Sequence, residues 1–119
     1  MPIRWDAAED KACQFLKNEG YRIVARNWRT KTGEVDIIAR DNDILVFIEV
    51  KARTGDGFGG PEGAVDLPKQ RRLISAALSF MQKTQCELPA RFDVVTMRPG
   101  GVRLLQDAFQ VPDSCSLGY

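Results

Sequence analysis

Two neighbouring apolar stretches decide the fold of this chain: GEVDIIA at residues 33–39 and ILVFIEVK at residues 44–51. Both are rich in Val, Ile and Phe, a composition that is typical of β-strands. The turn-prone run Asp-Asn-Asp at residues 41–43 separates them. The pattern therefore predicts a β-hairpin with its turn about Asn42-Asp43.

The charged side chains of this hairpin are predicted to lie together. A turn about Asn42-Asp43 pairs residues whose numbers sum to 85, so Asp36 lies opposite Glu49 and Glu34 opposite Lys51. Because side chains alternate between faces, Asp36, Glu49 and Lys51 share one face in any register with an odd sum. Two carboxylates within about 5 Å repel each other unless a cation lies between them. The pattern indicates a site for a hard metal ion with a lysine beside it.

The alternative is an exposed strand face on which Glu49 and Lys51 form an ordinary salt bridge. Their apolar neighbours favour a central, covered strand, where charges are costly unless they are paired or bind a metal. Mg²⁺ is usually held by one or two carboxylates, with waters completing six oxygen ligands. We therefore predict Asp36 and Glu49 as ligands of Mg²⁺ or Mn²⁺, with the carbonyl of Val50 as a third oxygen. Lys51 would orient a water, lower its pKa or neutralise charge on a phosphorus.

Three further polar residues each have two interpretations. Glu9 lies beside the apolar stripe of the first helix and so faces the sheet, but Asp6 and Glu9 also match a capping box. Gln70, one turn into the second helix, can reach a metal-bound water or a phosphate, or it is a surface residue. Glu34 either pairs with Lys51 or orients it. The local sequence leaves these alternatives open.

Periodicity along the chain predicts the element order α-β-β-β-α-β-β. Helical spacing of apolar residues extends over residues 5–18, with Gly20 placed to end that helix, and over about 66–83, with Asp66 as N-cap. The predicted strands cover residues 21–28, 34–40, 44–52, 91–97 and 102–105. We expect a single α/β domain over residues 1–119: a mixed sheet with a helix on each side and a loose tail at 108–119. Arg91 and Asp93, in the fourth strand, are predicted to form a structural ion pair.

The glycine-rich segment at residues 53–65 is predicted to be a loop. It contains no G-K-[ST], and no helix begins directly after its glycines, so it does not match a phosphate-binding motif. We interpret it as a flap that orders over a substrate, or as a plain flexible loop.

Composition excludes several kinds of chemistry. The chain has no histidine, which excludes Ser-His-Asp and Cys-His catalysis and His-ligated zinc. Its three cysteines form no C-x-x-C pair, which disfavours structural zinc and a disulfide framework, and Cys13 and Cys86 are predicted to be packing residues. No apolar run is long enough to cross a bilayer, and we expect a cytoplasmic protein.

A net charge of +1 is too small to identify a nucleic-acid-binding protein, so local clustering matters more. Basic residues cluster in two stretches, which are either solvated faces or sites that grip phosphates. The candidate nucleic-acid-binding residues are Arg22, Arg26, Arg29, Lys31, Lys69, Arg71 and Arg72.

The chain resembles the PD-(D/E)XK nuclease superfamily in three motifs: a glutamate in the first helix, G-E-V-D, and E-V-K about a dozen residues later. More narrowly, the chain resembles the YraN-like family of small bacterial proteins, which is similar in fold to archaeal Holliday-junction resolvases. The segments that carry this resemblance are Ala8-Glu9-Asp10 to Phe15-Leu16, ARNWR at 25–29, GEVDIIA at 33–39, VFIEVKAR at 46–53, KQRRL at 69–73 and RFDVV at 91–95. Two departures are visible: Ala8 precedes Glu9 where the family usually has glycine, and Val35 precedes Asp36 where the superfamily has proline.

The resemblance implies a restriction-endonuclease-like αβββαβ core and a Mg²⁺- or Mn²⁺-dependent endonuclease that acts on DNA, including branched DNA. It implies Asp36, Glu49 and Lys51 as the nuclease core, Glu9 as an added acidic residue, and Gln70 as a polar residue near the site. Junction-cleaving relatives generally work as dimers, so a homodimer is expected. Two alternatives remain: a nucleic-acid-binding module of the same fold with little or no catalysis, and an interaction protein whose acidic hairpin pairs with a partner's charges.

Overall fold

The computed structural model describes residues 6–52 and 65–111, which form two helices and five strands. The elements are α1 (Asp6–Asn18), β1 (Arg22–Arg29), β2 (Glu34–Asp41), β3 (Ile44–Ala52), α2 (Leu67–Thr84), β4 (Ala90–Arg98) and β5 (Gly101–Leu105). The predicted order α-β-β-β-α-β-β is confirmed, and so is the α/β class with an αβββαβ core. Residues 112–119 of the predicted tail, most of the glycine-rich segment (53–64) and the side chain of Asp6 lie outside the described residues. Residues 108–111 of that tail are not loose: the amide of Ala108 donates to the carbonyl of Phe92 over 2.7 Å, and Phe109 stacks on Phe92.

The five strands form one mixed sheet in the order β1-β2-β3-β4-β5. Only the β3–β4 pair is parallel among these neighbours, because α2 carries the chain back across the sheet before β4 begins. The β2–β3 hairpin has the predicted register, since Ile37 pairs with Ile48 and Asp41 with Ile44. Its turn places Asn42 in the left-handed region at φ 55°, a conformation that asparagine tolerates.

A helix covers each face of the sheet. Alternation along β3 explains how one strand serves both sides, because Leu45 and Phe47 pack on the α2 side while Val46 and Ile48 pack on the α1 side. The α1 side also buries Ala12, Leu16, Ile37, Ala39 and Val95, and the α2 side buries Val35, Ile38, Leu73, Ala76, Ala77 and Phe92. The predicted packing roles of the cysteines agree with this, since Cys13 is buried and Cys86 is half-buried.

The ends of the helices follow the sequence signals. Gly20 ends the turn after α1 at φ 98°, and the amide of Tyr21 donates to the carbonyl of Leu16 over 2.9 Å. At the start of α2, Asp66 is the N-cap and accepts a hydrogen bond from the amide of Lys69 over 2.9 Å. This cap places the first turn of α2 beside β3, which matters for the site described below.

The turn between β1 and β2 packs closely on α2. Gly33 is buried there, and a Cβ atom at this position would overlap the backbone carbonyl of Arg72. The hydroxyls of Thr32 and Ser75 are hydrogen-bonded at the same contact. Glycine is required because the two backbones approach too closely for a side chain.

A polar network lies on the α1 side of the sheet at the start of β4. Asp93, which is 1% exposed, accepts hydrogen bonds from Tyr21 Oη over 2.8 Å and from Arg91 Nε over 2.9 Å. The amide of Asp107 donates to the same carboxylate over 2.9 Å, and Arg91 also pairs with Asp41 at 2.9 Å. The predicted Arg91–Asp93 ion pair is therefore confirmed. Burial raises the pKa of Tyr21 to about 12, so its hydroxyl remains a donor at neutral pH.

Neither helix within residues 6–52 and 65–111 has the length and apolar character needed to span a bilayer.

Candidate metal site on the β2–β3 hairpin

The carboxyl groups of Asp36 and Glu49 meet where the pairing of β2 with β3 ends. The last residue pair of the ladder is Ile37 with Ile48, and the next residue of each strand carries a carboxyl group. Asp36 Oδ2 accepts a hydrogen bond from the amide of Val50 over 2.8 Å, which replaces the interstrand bond that would have followed. The two carboxyl groups lie close enough for the charge of Asp36 to raise the pKa of Glu49. The expected contact between Asp36 and Glu49 is thus present.

Both carboxyl groups are held in a less charged state than they would have in water. Burial, followed by the charge of Asp36, raises the pKa of Glu49 to about 7. Burial also raises the pKa of Asp36, and the hydrogen bond from the amide of Val50 opposes that rise. With its pKa of about 7, the Glu49 carboxyl group keeps part of its proton near neutral pH, which reduces its repulsion with Asp36. A divalent cation would do the same with a larger charge.

Lys69 approaches this pair from the first turn of α2. Its Nζ atom lies 3.5 Å from Glu49 Oε2, and the Glu49 side chain is only 12% exposed. Lys69 was predicted to bind phosphates as part of a basic stretch, and its ion pair with Glu49 was not predicted. The contact depends on how α2 packs against β3, which the local sequence does not reveal.

The oxygen atoms of this site suit a hard cation. No group of three or more Asp, Glu, Cys or His side chains within the described ranges is arranged to hold a metal, so any ion would take two carboxylates and other oxygens. The amide of Val50 points towards Asp36, and the amide and carbonyl of one strand residue lie on the same edge. The Val50 carbonyl therefore lies on the β2 edge as well. Two carboxylates, one carbonyl and waters match the ligands that Mg²⁺ prefers.

Lys51 lies two residues beyond Glu49 on the same strand and is half-buried. Alternation along β3 places both side chains on the α2 side of the sheet. The predicted partner of Lys51, Glu34, is instead the cross-strand neighbour of Arg29, and their charged groups are 3.9 Å apart. The ladder between β2 and β3 ends before Glu34 can reach Lys51.

Glu9 reaches the site from α1, on the other side of the sheet. Its side chain is 12% exposed, and its Oε1 atom accepts hydrogen bonds from Asn27 Nδ2 over 3.0 Å and from Arg26 Nη2 over 3.5 Å. Burial is the largest cause that raises the pKa of Glu9, and the charge of Asp36 is the second. Asp36 therefore lies between an acidic residue of α1 and the Glu49–Lys69 pair.

Asn27, which was not predicted as a site residue, lies across from Asp36. Arg26 pairs with Ile37 and Trp28 with Val35, so Asn27 and Asp36 occupy the positions between them. Asn27 has a left-handed backbone at φ 55°. As a result the flanking residues point to opposite sides: Arg26 contacts α1, while the indole of Trp28 donates to the carbonyl of Ala76 in α2 over 3.1 Å. An asparagine within a strand is the sequence signal for such a kink.

We expect Asn27→Ala to destabilise the protein by about 1 kcal/mol more than Asn27→Gly, since only glycine accepts the left-handed backbone without strain. Both variants should raise the pKa of Glu9 further, because the hydrogen bond from Asn27 lowers it. Urea denaturation measures the first effect, and an NMR titration of the Glu9 carboxyl group measures the second. Equal stability of the two variants would contradict the role of the backbone kink.

The remaining predicted residues have other contacts. Gln70 Nε2 donates to the carbonyl of Val65 over 2.7 Å, which ties the start of α2 to the chain before it. Arg26 is paired with Asp10 at 2.8 Å as well as with Glu9. The other candidate cations, Arg22, Lys31, Arg71 and Arg72, are exposed. Of the two basic stretches, the fold thus brings Lys69 to the carboxylate pair and Arg26 to Glu9.

The metal-free protein is expected to lose stability as the pH rises from about 5 to 8. The pKa of Glu49 in the folded chain, about 7, is above its ordinary value of 4.5, so between these values the folded state holds a proton that the unfolded state has released. The free energy of unfolding should fall by up to roughly 3 kcal/mol across this window. Urea denaturation in EDTA measures it. The Glu49→Gln variant should lack most of this dependence, and an identical pH profile for both proteins would refute it.

Comparison with known proteins gives one consistent result. Residues 8–97 match the model of Uncharacterised protein family UPF0102. The chain is 46% identical over 110 residues to UPF0102 protein STH1475 of Symbiobacterium thermophilum, with 87% of this chain and 93% of that protein covered. A UPF0102 protein of Thermotoga maritima is 46% identical over 98 residues, which covers 82% of this chain and 89% of that one. The relative from Pseudomonas putida is 47% identical over 94 residues, covering 77% and 76%.

Proposed function

The chain belongs to family UPF0102, the YraN-like family that its motifs resemble, and from its site we propose that it is a metal-dependent endonuclease that hydrolyses phosphodiester bonds in DNA. The observation that carries the proposal is the half-buried pair of Asp36 and Glu49 at the open end of the hairpin ladder, with Lys51 on the same face as Glu49. A carboxyl pair with a raised pKa, two residues from a lysine, is costly to maintain for stability alone.

Each residue of the site has its own role in the proposed hydrolysis. Asp36, Glu49 and the carbonyl of Val50 would hold Mg²⁺ or Mn²⁺, which when bound supplies a Lewis acid and an activated water. The hydrogen bond from the amide of Val50 fixes the orientation of the Asp36 carboxylate. Lys51 orients the attacking water or neutralises charge at phosphorus, and Lys69 keeps Glu49 turned towards α2 through their ion pair.

Glu9 supports the site from α1. Asn27 and Arg26 hold its carboxylate, and its pKa responds to the charge of Asp36. We assign Glu9 to a second metal or to the attacking water. Gln70 remains in the proposal only as a residue at the start of α2, since its amide donates to Val65.

A cleavage screen tests the proposal. The full-length chain is incubated with Mn²⁺ and with linear, flapped, gapped and four-way DNA, beside the Lys51→Ala variant and an EDTA control. We expect metal-dependent cleavage by the wild type alone, with structured DNA favoured. Titration calorimetry with Mn²⁺ is the second arm, and binding should be lost in Asp36→Asn.

The same experiments identify the alternative. A chain that binds DNA but neither binds Mn²⁺ nor cleaves any substrate is the catalytically inactive binding module. Affinity for DNA that falls steeply with salt would support that module over a protein-interaction role, because phosphate contacts release counterions.

A further inference from the structure

A cleft of about 320 Å³ lies at the β4–β5 edge of the sheet. Its lining residues are Thr96, Arg98, Gly100, Gly101, Val102 and Arg103. A smaller cleft of about 130 Å³ shares Thr96 and Arg103 and extends to Leu105. Two arginines therefore line a concave surface that none of the basic stretches in the sequence includes.

Strand register connects this cleft to the carboxylate pair. Lys51 of β3 pairs with Thr96 of β4, and Thr96 pairs with Arg103 of β5. Side chains of directly opposed residues point to the same face of a sheet. Lys51, Thr96 and Arg103 thus form one transverse row. Because adjacent strands lie about 4.8 Å apart, Lys51 and Arg103 are separated by about 10 Å along the row.

This row lies on the face that carries the proposed site. Phe92 of β4 packs on the α2 side, so Thr96 and Arg98, four and six residues later, face the same way. Glu49 also belongs to that face, and its neighbour in β4 is Val94, two residues before Thr96. A ligand that leaves the carboxylate pair towards β5 therefore meets Lys51 first, then Thr96, then Arg103.

The turn at the end of the cleft has open space beside its two glycines. At Gly100 and Gly101 a Cβ atom would meet nothing within 4 Å, and Gly101 has φ 153°. Guanidinium and hydroxyl groups are among the groups that hold phosphate oxygens in proteins.

We propose that the cleft of Thr96, Arg98 and Arg103 binds the phosphate backbone of a nucleic acid strand that extends from the Asp36–Glu49 site towards β5. The proposal rests on the proposed function only in taking a phosphodiester as the ligand of the carboxylate site. A separation of about 10 Å between Lys51 and Arg103 places the cleft within a few nucleotides of the carboxylate site.

Binding measurements in EDTA, where no cleavage occurs, test the cleft separately from catalysis. Fluorescence anisotropy with a labelled dinucleotide and with a single-stranded oligonucleotide of about eight nucleotides gives the affinity, over about 50 to 200 mM salt. The variants are Arg103→Ala, Arg103→Gln and Arg98→Ala. The matched control is Lys17→Ala, which removes one exposed cation from the last turn of α1, on the other side of the sheet.

We expect Arg103→Ala and Arg103→Gln to weaken binding of the longer oligonucleotide about tenfold at low salt and to reduce the salt slope by about 1. Arg98→Ala should have the same kind of effect. The dinucleotide has a single phosphodiester, which cannot occupy the carboxylate site and the cleft together, so it should bind wild type and variants alike. Lys17→Ala should match the wild type throughout.

The proposed role of the cleft would be contradicted if the Arg98 and Arg103 variants bound the longer oligonucleotide as tightly as Lys17→Ala does, with the same salt slope. If the wild type then still cleaves DNA with Mn²⁺, the proposed function survives that failure. Conversely, the wild type cleaves no DNA in one possible outcome, while Arg103→Ala still weakens binding of the longer oligonucleotide. That outcome supports the proposed cleft and contradicts the proposed endonuclease activity.

Discussion

Replacing Asp36 with alanine is expected to reduce Mn²⁺-dependent DNA cleavage on the order of 10³-fold or more, with the fold retained. The substitution removes one of two carboxylates and also frees the amide of Val50 from its hydrogen bond. It relieves the repulsion that raises the pKa of Glu49, so the free energy of unfolding at pH 8 should not fall. Lys51→Ala should reduce cleavage similarly while leaving Mn²⁺ binding in place.

The matched control for this prediction is Asp43→Ala in the turn of the same hairpin. The Asp43 side chain is 95% exposed and pairs only loosely with Arg40, at 3.7 Å. Cleavage rates, titration calorimetry with Mn²⁺ and thermal unfolding should be measured on all three variants. Unchanged cleavage by both Asp36→Ala and Lys51→Ala would remove the catalytic assignment.

Asp93→Ala is expected to destabilise the protein by about 3–5 kcal/mol. The variant leaves Arg91 and the buried Tyr21 without the carboxylate to which both donate, and Arg91 keeps its ion pair with Asp41. The hydrogen bond from the amide of Asp107 is lost as well. The hydrogen bonds with Asp93 are the largest cause that raises the pKa of Arg91. Without them the guanidinium still stays charged, because arginine does not lose its proton in proteins, and its charge must be solvated at a cost.

Asp10→Ala provides the comparison, since it removes a carboxylate that also pairs with an arginine. The Asp10 side chain is 62% exposed and lies 2.8 Å from Arg26. An exposed pair of this kind contributes about 0–1 kcal/mol. Urea denaturation of both variants at one pH measures the difference, and similar losses of stability would show that burial of the Asp93 network has no special role.

Local sequence signals were sufficient for the hairpin that carries the site. A turn centred on Asn42-Asp43, flanked by β-branched runs, sets the register that pairs Ile37 with Ile48. That register brings Asp36 next to Glu49. Periodicity and capping likewise gave the bounds of α2 to within one or two residues, since Asp66 caps it as predicted. These features depend on contacts between residues close in sequence, which is why they could be predicted.

Contacts between separate elements were not predictable in the same way. Lys69 meets Glu49 because α2 packs over β3, and Glu9 meets Asn27 because α1 packs over β1. Such pairs depend on the angle and distance between layers, which no local pattern encodes. The expected pairing of Glu34 with Lys51 is not part of the β2–β3 ladder, which ends at Ile37 and Ile48. Glu34 pairs instead with Arg29 of β1, beyond the kink at Asn27.

The meander of β1, β2 and β3 also determines when Asp36, Glu49 and Lys69 meet during folding. Asp36 meets Val50 only 14 residues later in the chain, whereas β3 finds β4 only after α2 has crossed the sheet. Short closures are entropically cheaper and form faster. The nascent hairpin therefore brings its two acids together before the ammonium of Lys69 has arrived, and a proton or a dissolved cation must screen them during that interval.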